Sequence, residues 1–445
     1  MSVFHAYDVR GLCPGELDED IAYHSGHGLA RLLGPGPVGI AWDMRPTGPA
    51  LVEAMARGLR EAGRDVVRLG MITTPTFYYA VGHLDLAGGA IVTASHNPSE
   101  YNGFKLTREA AIPIGGNSGL VELERAVAAK LCDHATTPGQ ERHADVIDEY
   151  LDHVLSCSGG AIGPLSIAID NGNGVAGPTI ERLFSRLPQV NLTKLFFEPD
   201  GRFPNHEANP LKLETLDTLR ARVRDDGLQL GIAFDGDGDR AAFVDEQGGV
   251  VQSDLLTAFL ATELLRRHGP ATMVYDLRSS IVVRESIEAG GGEAIEERVG
   301  HAFIKKTMRS HDALFGGELS GHYYWRDNFY ADSALMAVAH VLAIVSREGR
   351  PLSELIAPFR RTSQSGERNF RVADKGRVLA ALEAHHNSAA LSRLDGLTAR
   401  YDDWWFNVRT SNTEPLLRLN VEAPDPETLK ARQSELEAFI ESVGQ

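Results

Sequence analysis

Three stretches of the chain repeat one order of apolar and polar positions. VGIAWDMRPTGPALVEAMARGL from Val38, LSIAIDNGNGVAGPTIERLF from Leu165 and TMVYDLRSSIVVRESIEA from Thr272 each open on a short apolar run. The runs end at Asp43, Asp170 and Asp276, and a loop rich in polar or Gly residues leads into apolar positions at helical spacing. Apolar runs this short read as buried strands, and their alternation with helices predicts parallel sheets covered by helices. Each unit continues with a second strand, expected at 65–69, 192–198 and 293–298. A third apolar run then closes in a polar loop: AIVTASHNP around Ser95, GIAFDGDGDR around Asp235 and LFGGELSGH around Glu318. Ligands of open α/β sheets bind beyond the carboxyl ends of the strands, so three such domains can aim these loops into one cleft. A repeat this long indicates separate domains rather than a solenoid.

After about Arg368 the order changes. FNVRTSNTEPLLRLNVEA reads as strand, polar turn and strand, and PETLKARQSELEAFIESVG as a helix with Pro426 in its first turn. The expected fold is α/β: three similar α/β domains with mixed, mostly parallel sheets at 1–145, 146–248 and 249–362, and a smaller C-terminal α+β domain at 363–445, around a central cleft. A length of 445 residues suits this division, given about 150 residues per domain. The longest apolar stretch, Ala334 to Val345, is interrupted by His340, is too short to span a bilayer and reads as a buried helix.

Composition narrows the partners. The chain holds 44 Lys+Arg against 61 Asp+Glu, a net charge of −17, which argues against nucleic acid or an anionic membrane as main partner. A small anionic substrate stays open, provided local Arg and Lys clusters overcome the global field. Cys13, Cys132 and Cys157 are odd in number and scattered, so neither a disulfide framework nor a zinc site is expected. The opening MSVFHAYDVRG has no basic region followed by an apolar one, which predicts a cytoplasmic chain; a monomer or homodimer is expected.

Each loop offers chemistry beside a plainer reading. Ser95, next to His96 and followed by Lys105, can be a nucleophile, a phosphate carrier or an ordinary turn serine. The G-x-S-x-G elbow of hydrolases is absent here, and GELSG around Ser320 has the wrong spacing. Asp235, Asp237 and Asp239, separated by glycines, can fold their carboxylates around one hard cation. Glu246 falls at the twelfth position of a calcium loop, but Arg240 occupies the sixth, where that loop needs glycine, and the flanks read as strands rather than helices. Mg²⁺ at a phosphate is therefore expected, with Arg240 adding positive charge. Glu318, Ser320 and His322 alternate on what reads as a strand end; a carboxylate and a hydroxyl suit sugar hydroxyls, and His322 suits a proton acceptor, although a polar loop capping a helix explains them too. Arg409, Ser411, Asn412 and Thr413 form a donor cluster able to surround a phosphate, or a simple β-turn. Arg418 in the following strand reads as a surface residue.

A competing fingerprint is present. Gly172-x-Gly174-x-x-Gly177 follows a strand and opens a helix, with Glu198 at the next strand's end, which suits an NAD-dependent oxidoreductase. Pro178 and the unexplained Asp triplet speak against it, and a structural strand–helix turn accounts for the same glycines.

Together, YDVRG at Tyr7, TASHNPSEYNGFKL at Thr93, DGDGDR at Asp235, GGELSGH at Gly316 and RTSNTEP at Arg409 resemble the α-D-phosphohexomutase family, in the family's order and across essentially the whole chain. The resemblance implies four domains around a cleft and a phosphoryl group on Ser95. It implies Mg²⁺ held by Asp235, Asp237, Asp239 and the phosphoserine, with Arg10, His96 and Lys105 beside it and Tyr7 and Arg240 nearby. Glu318 and Ser320 would read sugar hydroxyls, Arg409, Ser411, Asn412 and Thr413 would grip the idle phosphate, and His301 and Lys305 would touch substrate. Arg278 stands where some relatives carry Lys. Implied too are a hexose 1,6-bisphosphate intermediate and a hinge near 362–368. GELSGHYYWRDNFYADS resembles the phosphomannomutase branch more than its glucosamine or large glucose-specific branches, with phosphoglucomutase and phosphoglucosamine mutase as alternatives.

Overall fold

In the computed structural model, which describes residues 2–5, 7–410 and 416–444 apart from the side chain of Asn117, the three Asp-terminated runs are the strands Val38–Trp42, Leu165–Asp170 and Thr272–Asp276. Each lies between two parallel neighbours: Val66–Met71 and Gly88–Val92, Val190–Leu195 and Leu230–Phe234, Glu293–Glu297 and Phe315–Gly317. In every repeat the chain then turns back antiparallel, through Tyr101–Arg108, Ala241–Asp245 or Tyr323–Trp325. Short strands complete the edges: Val9–Leu12 and Glu141–His143 in the first sheet, Val250–Val251 in the second, Ala331–Asp332 in the third. The sheets are mixed, as expected.

The strand-end aspartates repeat one local device. Arg45 N donates to Asp43 Oδ1 at 2.9 Å, Gly172 N to Asp170 Oδ1 at 2.8 Å and Arg278 N to Asp276 Oδ1 at 2.7 Å. The carboxylate thus replaces backbone pairing just where the strand gives out. The strand expected to run to Glu198 stops at Leu195, because Phe196 takes a left-handed φ of 52° and breaks the extended path. The Gly172–Gly177 turn packs on protein instead of opening toward a dinucleotide. Val175 N donates to Gly236 O at 2.9 Å, and a Cβ at Gly174 would lie 2.9 Å from that oxygen. The glycines are therefore explained by backbone packing rather than by a dinucleotide.

The apolar stretch after Ala334 is the helix Ala334–Glu348, buried from Ala334 through Val345. It joins the cores under the second and third sheets into one apolar cluster, in which Ile167, Leu230, Val338, Leu342 and Phe315 all take part. Each such buried aliphatic side chain contributes about 1.5–3 kcal/mol. The fourth sheet is antiparallel, ordered Ser363–Gln364, Leu417–Ala423, Trp405–Thr410, Leu397–Arg400, Ala390–Ser392, with Arg368–Phe370 also on Leu417–Ala423. With the helices Lys375–His385 and Pro426–Gly444 it encloses its own cluster around Val378, Phe406, Leu419 and Leu436.

That fourth unit docks through polar contacts. The buried Glu422 accepts from Ser280 Oγ at 2.5 Å, Ile281 N at 3.0 Å, Trp405 Nε1 at 2.5 Å and the Thr362 hydroxyl. Its carboxylate therefore sits at the N-terminus of the helix Ile281–Ala289, where the helix dipole favours negative charge. Arg400 pairs with Glu296, and Gln364 Nε2 donates to Asp254 Oδ2 at 2.6 Å. Among the described residues, no helix is long and apolar enough to cross a membrane.

Candidate active site

Ser95 and the aspartate loop, 140 residues apart in sequence, meet directly. Ser95 Oγ donates to Asp235 Oδ2 at 2.7 Å and lies 3.2 Å from His96 Nδ1. The fit of the two loops depends on glycine, since a Cβ at Gly236 would come within 2.4 Å of Ser95 O. Ser95 itself takes a left-handed φ of 49°, which costs an L residue about 1 kcal/mol and is a conformation found at functional sites. Lys105, on the neighbouring antiparallel strand, donates to Asp237 Oδ2 at 2.6 Å and Asp239 Oδ2 at 2.5 Å. Thr74 Oγ1 also donates to Asp237 Oδ2, at 2.7 Å.

The three aspartates are buried, and their carboxylate oxygens can approach one ion together, lying within 4.8 Å of one another. Asp237 Oδ1 and Asp239 Oδ1 are buried without a hydrogen-bond partner. Burial, then Asp239 and Asp237, push the Asp235 pKa well up. Burial opposes the charge on Lys105, but Asp237 and Asp239 outweigh it and hold the ammonium charged. Lys105, Arg240 and His322 offset part of this charge, yet three carboxylates stand together and Asp237 Oδ1 stays buried without a partner, so the donor set fits a divalent cation.

Around this centre, Arg10 donates to Asn97 Oδ1 at 2.7 Å and to Asp8 Oδ2 at 2.5 Å. Burial, then Arg240 and Arg10, keep His96 neutral. Arg240 reaches His322 Nε2 from Nε at 3.3 Å, and its backbone N–H donates to Asp235 Oδ1 at 3.1 Å. Tyr7 packs edge-on against His301 and Phe303, with ring centroids 6.0 and 5.5 Å away, so the first and third units touch at the cleft. Loss of water around the ring, then Lys305 and Lys105, push the His301 pKa well down. Lys305, fully buried, pairs with Asp332 at 3.2 Å; burial lowers its pKa to about 8 against the opposing pull of Asp332.

Glu318, Ser320 and His322 do not lie on a strand end. The strand stops at Gly317, and the three residues form a tight turn in which Gly321 N donates to Glu318 O at 2.9 Å with Gly321 at φ 84°. A strand would have set these alternate residues in a row along one face, whereas the turn folds Glu318 and Ser320 back onto His322. His322 Nδ1 is 2.8 Å from Ser320 Oγ and 3.1 Å from Glu318 Oε2, and Nε2 is 3.3 Å from Asp239 Oδ1. Burial opposes a charge there, but Asp239 lifts the His322 pKa to about 9, so the ring is placed to give a proton rather than accept one. Burial would raise the Glu318 pKa, yet His322, Arg278 and Tyr324, whose hydroxyl donates at 2.7 Å, hold it well below the usual carboxylate range.

Arg278 folds back on Asp276 (Nη2 to Oδ2, 2.5 Å) and lies 3.6 Å from Glu318 and 3.9 Å from Glu367. Arg409 is buried and donates to Glu367 Oε2 at 2.5 Å. Arg418, read as a surface residue, is half-buried: it stands opposite Arg409 across the strand pair and meets Glu367 Oε1 at 3.1 Å. Two arginines directly opposite repel each other unless an anion lies between them, and Glu367 supplies it. Ser411, Asn412 and Thr413 lie outside the described residues. Sequence reading passed over Thr74, Tyr324 and Glu367 and gave Arg418 no role. Only the D-x-R of Asp276–Arg278, with an identical D-x-R at Asp43–Arg45, offered a signal for this layer of partners.

One polar chain therefore crosses all four sheets: Ser95 to Asp235, Asp239 to His322, His322 to Glu318, Glu318 to Arg278, Arg278 to Glu367, Glu367 to Arg409. It has Ser95 and the aspartate triplet at one end and clustered guanidinium groups at the other.

Comparison with known proteins gives this arrangement a setting. Models of the phosphoglucomutase/phosphomannomutase α/β/α domains I, II and III match residues 1–130, 148–249 and 252–362, and that of its C-terminal domain matches 367–438. The chain is 40% identical over 445 residues to phosphohexose mutases of Xanthomonas campestris pv. campestris strain B100, covering 99% of each. It is 40% identical over 458 residues to a phosphomannomutase of Salmonella montevideo, again covering 99% of each. The crystal structure of a phosphoglucomutase/phosphomannomutase family protein from Burkholderia thailandensis superposes with a TM-score of 0.91 at 32% identity, covering 99% of this chain and 97% of that one.

Proposed function

This chain belongs to the phosphoglucomutase/phosphomannomutase family, and on that premise we propose that it is a phosphomannomutase interconverting mannose 1-phosphate and mannose 6-phosphate through Ser95. The contact between Ser95 Oγ and Asp235 carries the reading, since it sets the buried serine at the start of the SHNP loop against the aspartate triplet of the second unit. The 40% identical phosphomannomutase of Salmonella montevideo supports the choice of mannose.

Phosphoserine 95 gives its phosphoryl group to the free hydroxyl of the hexose monophosphate. The bond from phosphorus to Ser95 Oγ breaks, a bond to the sugar oxygen forms, and the hydroxyl proton leaves to a base; neutral His96 is placed for that role, and His322 for returning a proton. The 1,6-bisphosphate then turns over in the cleft, and its other phosphate returns to Ser95. Asp235, Asp237 and Asp239 with the phosphoserine hold Mg²⁺, which when bound neutralises charge on the transferring group. Charged Lys105 and Arg240 add to that neutralisation, and Arg10 orders the loop through Asn97. Glu318 and Ser320 read sugar hydroxyls, Tyr7 and His301 wall the cleft, and Arg278, Lys305 and Arg409 with Ser411, Asn412 and Thr413 take the idle phosphate. The four units correspond to 1–145, 146–248, 249–362 and 363–445, and the protein works in the cytoplasm as a monomer or homodimer. A coupled assay across mannose, glucose and glucosamine 1-phosphates tests the assignment; a preference for glucosamine 1-phosphate, or no mutase activity at all, contradicts it.

Lys305 sets a pH limit. Its ammonium is charged below about 8 and neutral above, so attraction for the phosphate dianion weakens as pH rises through that value. The profile of kcat/KM, which reports free-enzyme groups, is expected to fall on that limb, and Lys305→Met to lack it. A Lys305→Met profile with the same limb would remove this assignment.

The fourth unit is proposed to rock about 362–368 so that the intermediate can reorient. Its separate core and polar docking through Glu422 suit such motion. Small-angle scattering should show contraction on saturation with hexose phosphate and a larger radius for unliganded Glu422→Ala. Identical curves for all states would count against the motion.

A further inference from the structure

Arg45 is the most deeply buried arginine near Ser95, and its whole fork is spent on main-chain oxygens of the serine loop. Nη1 donates to Pro98 O at 2.7 Å and Tyr101 O at 2.8 Å, while Nη2 donates to Ser95 O at 3.0 Å and Asn97 O at 2.6 Å. Nε faces Asp43 Oδ2 at 3.3 Å, and Asp43, itself fully buried, also fixes the Arg45 backbone. The guanidinium is covered from the second unit by the Phe203 ring, 5.2 Å from its centroid, and a Cβ at Gly201 would strike Arg45 Cα at 2.6 Å. Four carbonyls gripped by one planar fork is a geometry that only arginine supplies, because a lysine ammonium has a single point of charge and no fork.

The internal repeat gives this a meaning. The first and third units both place D-x-R at the strand end, with the same aspartate-to-backbone bond at Arg45 and at Arg278. In the third unit the arginine turns toward Glu318, on the loop after the adjacent strand. In the first unit it turns toward the corresponding loop and holds Ser95. The second unit has Gly172 at this position, and there His206 Nε2 approaches Asp170 at 3.2 Å instead. Ser95 sits at φ 49°, so its loop has no intrinsic tendency to hold that shape, and the nucleophile must nevertheless meet Asp235 at 2.7 Å.

We infer that Arg45 is a positioning residue for phosphoryl transfer: clamped by Asp43 and Phe203, it fixes the 95–101 backbone so that Ser95 Oγ stays aligned with the aspartate loop of the second unit. The inference rests on the reading of Ser95 as phosphoryl carrier. Because the sugar-reading and phosphate-gripping groups lie on other loops, loosening this clamp should slow transfer and leave sugar phosphate binding in place.

The test is Arg45→Lys, which keeps a positive charge beside Asp43 but loses the fork. Its kcat should fall about 100-fold, the loss expected when a nucleophile is misplaced by about 1 Å, with KM for the hexose 1-phosphate changed by less than about threefold. Labelling of Ser95 by hexose 1,6-bisphosphate should slow in parallel, whereas a purely structural residue would lower the melting temperature without slowing the labelling of folded enzyme. Phe203→Leu, which keeps every Arg45 bond and removes only the ring over it, should lower kcat about fivefold on the same pattern. Wild-type kcat in Arg45→Lys, or a loss confined to KM, overturns the inference. If Arg45→Lys does not fold, Phe203→Leu decides, an unchanged kcat overturning it. Ser95→Ala measured alongside separates the two layers: activity retained there overturns the carrier reading and this inference together, while inactive Ser95→Ala beside fully active Arg45→Lys overturns the inference alone.

Discussion

Ser95→Ala is expected to abolish mutase turnover, by at least about 10³-fold, while hexose phosphate binds within about threefold of the wild-type affinity. The proposed reaction has an obligatory covalent stage, so loss of the hydroxyl removes the intermediate rather than weakening a contact. In the proposed reading, binding is carried elsewhere, by Glu318 and by the guanidinium groups of Arg278 and Arg409, none of which touches Ser95 Oγ. The substitution takes away one donor from Asp235, whose pKa is already pushed up by burial and by its fellow aspartates, so the loop loses little else. Ser95→Thr should fail nearly as badly: a β-branched residue is strained at φ 49°, and the added methyl crowds a loop already closed on Gly236. Activity by coupled assay and affinity by calorimetry, measured on the same preparations, check both halves. Full turnover in Ser95→Ala would dismiss the serine from its central place.

Chelation of divalent cations should stop catalysis just as completely, and added Mg²⁺ should restore it. A second readout is independent of turnover. Three buried carboxylates stand within reach of one ion, so an ion that binds them should raise the melting temperature, by the equivalent of about 2.7 kcal/mol when present at about 100 times its Kd. Lys105→Met sharpens this. Without the ammonium, only Arg240 and His322 at the rim oppose the repulsion among Asp235, Asp237 and Asp239, so the metal-free variant should be less stable than the wild type. Mg²⁺ should then raise its melting temperature by more than it raises the wild type's. Asp239→Asn should abolish both the metal dependence and the thermal response. A chelated enzyme that keeps its activity, or a melting curve that ignores Mg²⁺, would discredit the site.

The large divisions of the fold were legible because each repeat writes its sheet in period and punctuation: a buried run, an aspartate, a helix, and later a polar loop. Where the reading slipped, the cause was local and conformational. Phe196 at φ 52° ended a strand early, and Glu318 to His322 fell on a turn, since two glycines and a hairpin outweighed the alternation that suggested a strand. Ser95, the aspartates and Arg409 stood out because polar residues at strand ends demand an explanation. Arg418, Glu367 and Tyr324 did not, because their significance comes from partners far away in sequence: Arg418 faces Arg409 only through a hairpin register, and Glu367 meets three arginines from two units. Arg45 was hidden for the same reason. Its motif was visible, but the four carbonyls it grips lie about fifty residues farther on, within a loop read for its side chains alone.

The central claim is that Ser95 carries the transferable phosphoryl group, and peptide mass spectrometry after brief incubation with hexose 1,6-bisphosphate and Mg²⁺ addresses it directly. The expected result is a single added phosphoryl group on the peptide containing Ser95, removed when excess hexose monophosphate is added. A phosphoryl group on another residue, or an unlabelled enzyme that still interconverts the two hexose phosphates, would contradict it.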